Sequence, residues 1–218
     1  MGSLTMGTAS PAVVTLNNIG VFIFGEGLGT TSDFLAAGSM QWQKGPALPL
    51  RLTYPCAVAI TATSFLAIHE TNIREFDSAI DGPTSTRGWR EADAWPVLRT
   101  SRIHKPACAM FGQKVIIAGG GQSIGESLSS TEVLDLSTRR LTSGGEMATP
   151  RGWFHVGTII SGGQETMFAV GGYNRPTRLN TVEEWVEECS TWKAAYNLAE
   201  RRSDPGAVVV SRQLVCPV

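Results

Sequence analysis

An all-β propeller is the architecture this sequence predicts, from its turn-rich composition, from a unit repeated about every 50 residues, and from the strand pattern inside that unit. The 218 residues include 24 Gly and 11 Pro, with 42 % hydrophobic and 17 % charged. That balance excludes a disordered chain and favours many turns over long helices. An apolar run ending in a small or polar pair occurs four times: VFIFGE at Val21, FLAIHE at Phe65, VIIAGG at Val115 and MFAVGG at Met167. A tryptophan or its substitute follows each run (Trp42, Trp89, Leu141, Trp192), and then an arginine (Arg51, Arg102, Arg151, Arg202). Three markers on one beat define a single supersecondary unit copied along the chain.

Within the unit the first strand follows the arginine, as CAVAI from Cys56, ACAMF from Ala107, VGTII from Val156 and AVVV from Ala207. Short turns (TATS, GQK, SGGQ) lead into the apolar second strand, as hairpins require. NIREFD at Asn72 and TEVLDL at Thr131 supply a third strand, and a fourth carries the tryptophan, which its recurrence assigns to the core between blades. Four short strands per unit make a propeller blade. The blades run over 12–55, 56–106, 107–155 and 156–206, with a partial fifth at 207–218, after a polar tail at 1–11. Thr181 to Arg202 is the ambiguous stretch. Its apolar residues fall at helical spacing and Thr181 with Glu184 mimics a capping box, yet it occupies the place of strands three and four, and the repeat is the stronger constraint.

These residues resemble the Kelch-repeat β-propeller family over about residues 12–218, most closely in VIIAGG…TEVLDL and MFAVGG…Trp192. The first two units depart from the pattern, with Gly25-Glu26 and His69-Glu70 in place of the double glycine, and the third has Leu141 for the tryptophan. The resemblance implies a protein-binding module rather than an enzyme, serving as a substrate-recognition or scaffold component, with no cofactor. Four full blades and part of a fifth leave three arrangements open: a five-blade ring with an incomplete blade, a ring completed by a partner chain, or a fragment of a longer protein. Unpaired blade edges would favour self-association. These residues include no BTB-like helical segment, so an adaptor role is expected to need a separate subunit or further sequence.

Each arginine precedes an innermost strand, so the propeller reading brings Arg51, Arg102, Arg151 and Arg202 to one mouth of the central channel. Convergent guanidinium forks bind carboxylates bidentately, and arginines in such positions contribute to acidic-peptide pockets in similar propellers. The competing expectation is that they pair with neighbouring acids and hold blades together. Tyr54, His104, Trp153 and His155 follow the arginines closely and supply aromatic anchors at the same mouth. The loops from Glu26 to Asp33, Gln122 to Ser130 and Tyr173 to Asn180 extend the expected contact face.

Other function classes fare worse. With 18 Lys+Arg against 19 Asp+Glu, the formal charge is −1, which removes the electrostatic case for nucleic acid or an anionic membrane. No apolar run approaches a membrane span, and MGSLTMGTASPAVV has no secretory pattern, so a cytoplasmic location is expected. GEGLGT at Gly25 lacks the last glycine of a dinucleotide loop, and no Gly-Lys pair exists for a P-loop. Three histidines and no C-x-x-C pair make a metal site hard to build. Cys56, Cys108, Cys189 and Cys216 sit in or beside apolar runs and are expected as buried, reduced thiols. The enzymatic alternative is a hydrolase: Gly121-Gln-Ser123-Ile-Gly125 fits a nucleophile elbow, with Asp135 and His155 following in hydrolase order. The elbow needs a helix after the serine, and ESLSSTEVLDL offers a loop and a strand instead.

Overall fold

The computed structural model describes residues 4, 10–25, 29–123, 125–161 and 163–205. Among these the chain is all-β, with antiparallel sheets laid out in series as propeller blades. The first blade comprises β1 (Ala12–Leu16), β2 (Gly20–Phe24), β3 (Ser32–Ala36) and β4 (Gln43–Lys44), paired in that order. The second has β5 (Cys56–Ala59), β6 (Ser64–His69) and β7 (Asn72–Asp77). The third repeats the four-strand order with β8 (Ala107–Phe111), β9 (Lys114–Ala118), β10 (Thr131–Asp135) and β11 (Leu141–Ser143). The fourth contains β12 (His155–Ser161), β13 (Gln164–Val170), a two-residue β14 (Tyr173–Asn174), β15 (Thr177–Val186) and β16 (Thr191–Arg202). Its ladder runs β12, β13, β15, β16, with β14 folded back on the start of β15. The unit expected from Ala207 onward lies outside the described residues.

Facing sheets bury one apolar cluster per blade pair. Phe22 and Phe24 of the first blade meet Phe65 and Phe76 of the second, with ring centroids 5.2 to 5.6 Å apart, and Phe34 packs on Phe22 at 4.7 Å. Val58, Leu66 and Ile68 meet Val115, Ile117 and Leu134. Ile116, Ala118 and Val133 meet Val156, Met167, Ala169, Trp185 and Trp192. A blade between two neighbours is covered on both faces, which is why β6 is buried along its whole length and reads as a continuous apolar run rather than an alternating one.

Thr181 to Arg202 is strand, in β15 and β16, not helix. Helical spacing there arises because a 3-10 turn at Glu187–Cys189 and a shifted register between β15 and β16 place Trp185 and Trp192 opposite one another, 5.3 Å between centroids. The second blade departs from the expected four strands. Trp89 makes only an isolated bridge to Phe76, because Gly82, Pro83 and the 3-10 turn Thr86–Gly88 interrupt the segment before it. Its ring still packs edge-on against Phe65 and Phe76. Trp192 is buried as expected, whereas Trp42 is only half-buried.

The innermost strands β1, β5, β8 and β12 pack side by side in that order and together line an open hollow of about 390 Å³. Here the expectation of reduced thiols fails for one pair: Cys56 opens β5, Cys108 lies in β8, and the two form a disulfide across 5.9 Å between Cα atoms. Spacing in sequence concealed what adjacency of the innermost strands brings together. Cys189 is a free, exposed cysteine, and Cys216 lies outside the described residues. Closing a loop of 52 residues stabilises by about 4 kcal/mol through the unfolded chain. Cys108→Ser should therefore lower the unfolding free energy in urea by up to that amount, and thiol titration of the unreduced, unfolded protein should find two fewer thiols than after reduction.

Candidate functional site

The arginines sit where blades begin, but two of them point inward. Arg102 and Arg151 are 0 % exposed. Arg102 donates through Nη1 to the carbonyls of Gly119 (2.6 Å) and Ser130 (3.0 Å), and through Nη2 to Ser130 Oγ (3.2 Å) and Glu132 (3.3 Å). Arg151 repeats the pattern one blade later, on the carbonyls of Gly171 (2.8 Å) and Thr181 (3.1 Å), on Thr181 Oγ1 (3.1 Å) and on Glu183. The glutamates are themselves buried. Glu132 also accepts from the backbone N–H groups of Arg99 and Thr100, and Glu183 from those of Ala148 and Thr149. Burial works against the charge on both guanidinium groups, and the facing glutamate opposes it.

The expectation that all four arginines line the mouth is thus corrected for Arg102 and Arg151, whose forks are occupied by carbonyls and a carboxylate of their own blades. Arg51 and Arg202 are exposed. The backbone of these arginines also links blades: the Gly120 N–H donates to the Arg151 carbonyl (2.9 Å), the Gly172 N–H to the Arg202 carbonyl (2.8 Å), and Glu70 bridges to Arg102. Each glycine of the pair is needed there. A Cβ on Gly119 would collide with the Arg151 carbonyl and the Phe154 ring, and Gly119 (φ 60°) and Gly120 (φ 87°) are both in the left-handed region.

At each described blade entrance, just beyond the arginine in all but the first, one residue adopts positive φ: Ser10 (45°), Tyr54 (51°), Lys105 (38°), Trp153 (46°) and Asp204 (54°). Four of the five precede a proline, and Phe154 follows the other. They form a collar at the channel mouth. The Lys105 ammonium pairs with the Asp204 carboxylate, to which Ser10 Oγ also donates (3.3 Å). The Trp153 N–H donates to the Lys105 carbonyl, and the Asp204 N–H to the Trp153 carbonyl (2.7 Å).

Aromatic side chains gather on this collar. Trp153 stacks on His104 (5.5 Å between centroids), meets Tyr54 edge-on (5.8 Å) and stands perpendicular to Tyr173 (6.4 Å). A pocket of about 340 Å³ opens beside them, lined by His104, Trp153, Tyr173, Ser123, Glu126 and Arg175 among others. His155 instead points along β12 into the channel wall, where burial and then Lys105 hold its pKa below the ordinary value. Tyr173 and Arg175 lie in the Tyr173 to Asn180 loop expected in the contact face, whereas Lys105 and Asp204 were not singled out from the sequence. The recurring X-Pro dipeptide was the available signal for Lys105 and Asp204.

The hydrolase constellation does not assemble. Ser123 Oγ donates to Glu126 (3.1 Å), and Asp135 closes a turn in which Ser137 and then Thr138 donate to it, holding its pKa down to about 2. Neither hydrogen-bonds to His155.

A curated relative, the Kelch repeat-containing protein kel-10 of Caenorhabditis elegans, is 32 % identical over 103 residues, 47 % of this chain and 18 % of that protein. A second, the Kelch repeat and BTB domain-containing protein F47D12.7 of the same organism, is 30 % identical over 103 residues with the same coverage. The match thus spans under a fifth of either relative. No protein-family profile matches the chain. Similarity to Kelch-repeat proteins over about half the chain agrees with the all-β blade architecture.

Removing one partner of a buried ion pair leaves an uncompensated charge and costs about 3–5 kcal/mol. Arg151→Ala should destabilise by that amount in equilibrium unfolding, while Arg51→Ala should stay within about 0.5 kcal/mol. Because the folded protein holds His155 neutral, its contribution is present above the unfolded-state pKa of about 6.5 and is lost as pH falls toward the lower folded value. A His155→Gln variant should show a shallower fall of stability between neutral and mildly acidic pH than the wild type.

Proposed function

We propose that this chain is a protein-interaction module whose contact face is the collar at the channel mouth, serving as the recognition or scaffold part of a larger assembly. The gathering of His104 and Trp153 from two blade entrances and Tyr173 from the β14 hairpin around one pocket, with Tyr54 edge-on to Trp153, carries the reading. Aromatic side chains set in a depression bury large area for little lost side-chain entropy, and such residues dominate interface energies. The similarity to Kelch-repeat proteins supports the module class. An acidic segment of a partner is the complementary charge for the exposed Arg51, Arg175 and Arg202. Nucleic acid and membrane are disfavoured by the balanced net charge.

Partners captured from extract by the wild-type chain and identified by mass spectrometry should be lost with Trp153→Ala and weakened with Arg51→Glu/Arg202→Glu, all variants folded by circular dichroism. Capture unchanged by Trp153→Ala moves the contact face away from the mouth.

A further inference from the structure

The pocket beside Trp153 has walls that select among ligands. Trp153 and Tyr173 stand nearly perpendicular, 83° between ring planes, and His104, on the same wall, lies against Trp153 at an interplanar angle of 24°. This corner suits a flat ring laid on one wall with its edge toward the other. The rim carries one carboxylate, Glu126, with one oxygen accepting from Ser123 Oγ, and one guanidinium, Arg175, lying against Gly125. Among the described residues Arg175 makes no ion pair. Opposite charges on one rim disfavour a ligand carrying a dense charge of either sign inside the pocket, while suiting the main-chain amides of a peptide at its edge. The volume of about 340 Å³ accommodates one large side chain.

His104 supplies the chemical detail. Both its ring nitrogens are shielded from water and have no hydrogen-bond partner among the described residues, although the ring lines the pocket. Unsatisfied buried polar atoms are rare and costly. A neutral imidazole offers one donor and one acceptor. A phenol hydroxyl can serve either, at the end of a ring that fits the aromatic corner.

We propose that this pocket receives a tyrosine side chain from the partner polypeptide, its ring stacked on Trp153 against Tyr173 and its hydroxyl hydrogen-bonded to His104 after a small rotation of the imidazole. This inference rests on the mouth being the contact face. Phenylalanine fits the same corner but leaves His104 unsatisfied, and an acidic side chain alone meets Glu126.

N-acetyl-tyrosinamide and N-acetyl-phenylalaninamide, titrated into the full chain at millimolar concentration, provide the test, read by NMR at the His104 imidazole and the Trp153 indole. The tyrosine probe should shift both and bind about five- to tenfold tighter, the size of one net hydrogen bond. In His104→Phe, which keeps the ring and removes both nitrogens, that preference should vanish while binding of the phenylalanine probe persists. Equal affinity for the two probes in the wild type, or no response at His104 and Trp153 to either, overturns the tyrosine assignment. If the probes fail while Trp153→Ala still abolishes partner capture, the mouth remains the contact face and the tyrosine pocket alone is wrong. Capture that survives Trp153→Ala removes the premise as well.

Discussion

A buried arginine at each of two blade entrances is the interaction on which the rest of this structure depends. Arg102 and Arg151 each donate to two carbonyls, a hydroxyl and a carboxylate of the blade they lead into, Arg151 also to the Thr149 carbonyl, and their backbones hydrogen-bond to the blade before. A buried ion pair by itself is weak evidence of stability, since desolvation offsets much of the attraction. What distinguishes these two is how much backbone the pair ties down, although Arg102 Nε, unlike Arg151 Nε, has no hydrogen-bond partner among the described residues. Glu132 and Glu183 each also accept two backbone N–H groups from the segment entering the blade, so the pair satisfies loop backbone that would otherwise be buried without partners.

The mouth is built just beyond these anchors. The chain turns sharply onto the innermost strand through a residue in the left-handed region at every described entrance, including those without a buried arginine. For bulky residues this conformation costs about 1–3 kcal/mol and survives only where surroundings impose it. Tyr54 and Trp153 are held in it, and the result is that their rings lie together over the mouth rather than within a blade core. The Lys105–Asp204 pair and Ser10 tie the same collar together, and the Cys56–Cys108 bond joins the strands just below it.

Much of the architecture was legible in the sequence, because the repeat averages over local ambiguity. Residues 181–202 show this: read alone they favour helix, and the position of the double glycine before them decides for strand, as found. The missing fourth strand of the second blade was not legible, since Trp89 keeps the beat while Gly82 and Pro83 spoil the strand before it. For the arginines, position was legible and direction was not. The deciding sign lies elsewhere in each unit: Ser130 with Glu132, and Thr181 with Glu183, two residues apart so that both face the same side of the strand. Arg102 and Arg151 have that acceptor pair in their own blades and turn inward. Of the mouth residues, Tyr54, His104 and Trp153 were legible from their offset after the arginines, and Tyr173 and Arg175 from the loop that holds them, whereas the fold back of that loop on β15, which brings them to the pocket, is announced by no local pattern.

Hydrogen exchange of a Glu183→Gln variant tests the claim that the arginine couples neighbouring blades most directly. If Arg151 acts as the link, protection should fall at the amides of Ala148 and Thr149, which Glu183 accepts, and also at Gly120 in the preceding blade, held by the Arg151 carbonyl. Amides of β6 in the second blade should keep their protection. Loss confined to Ala148 and Thr149, with Gly120 unchanged, would contradict the account and reduce the buried pair to a local loop clamp.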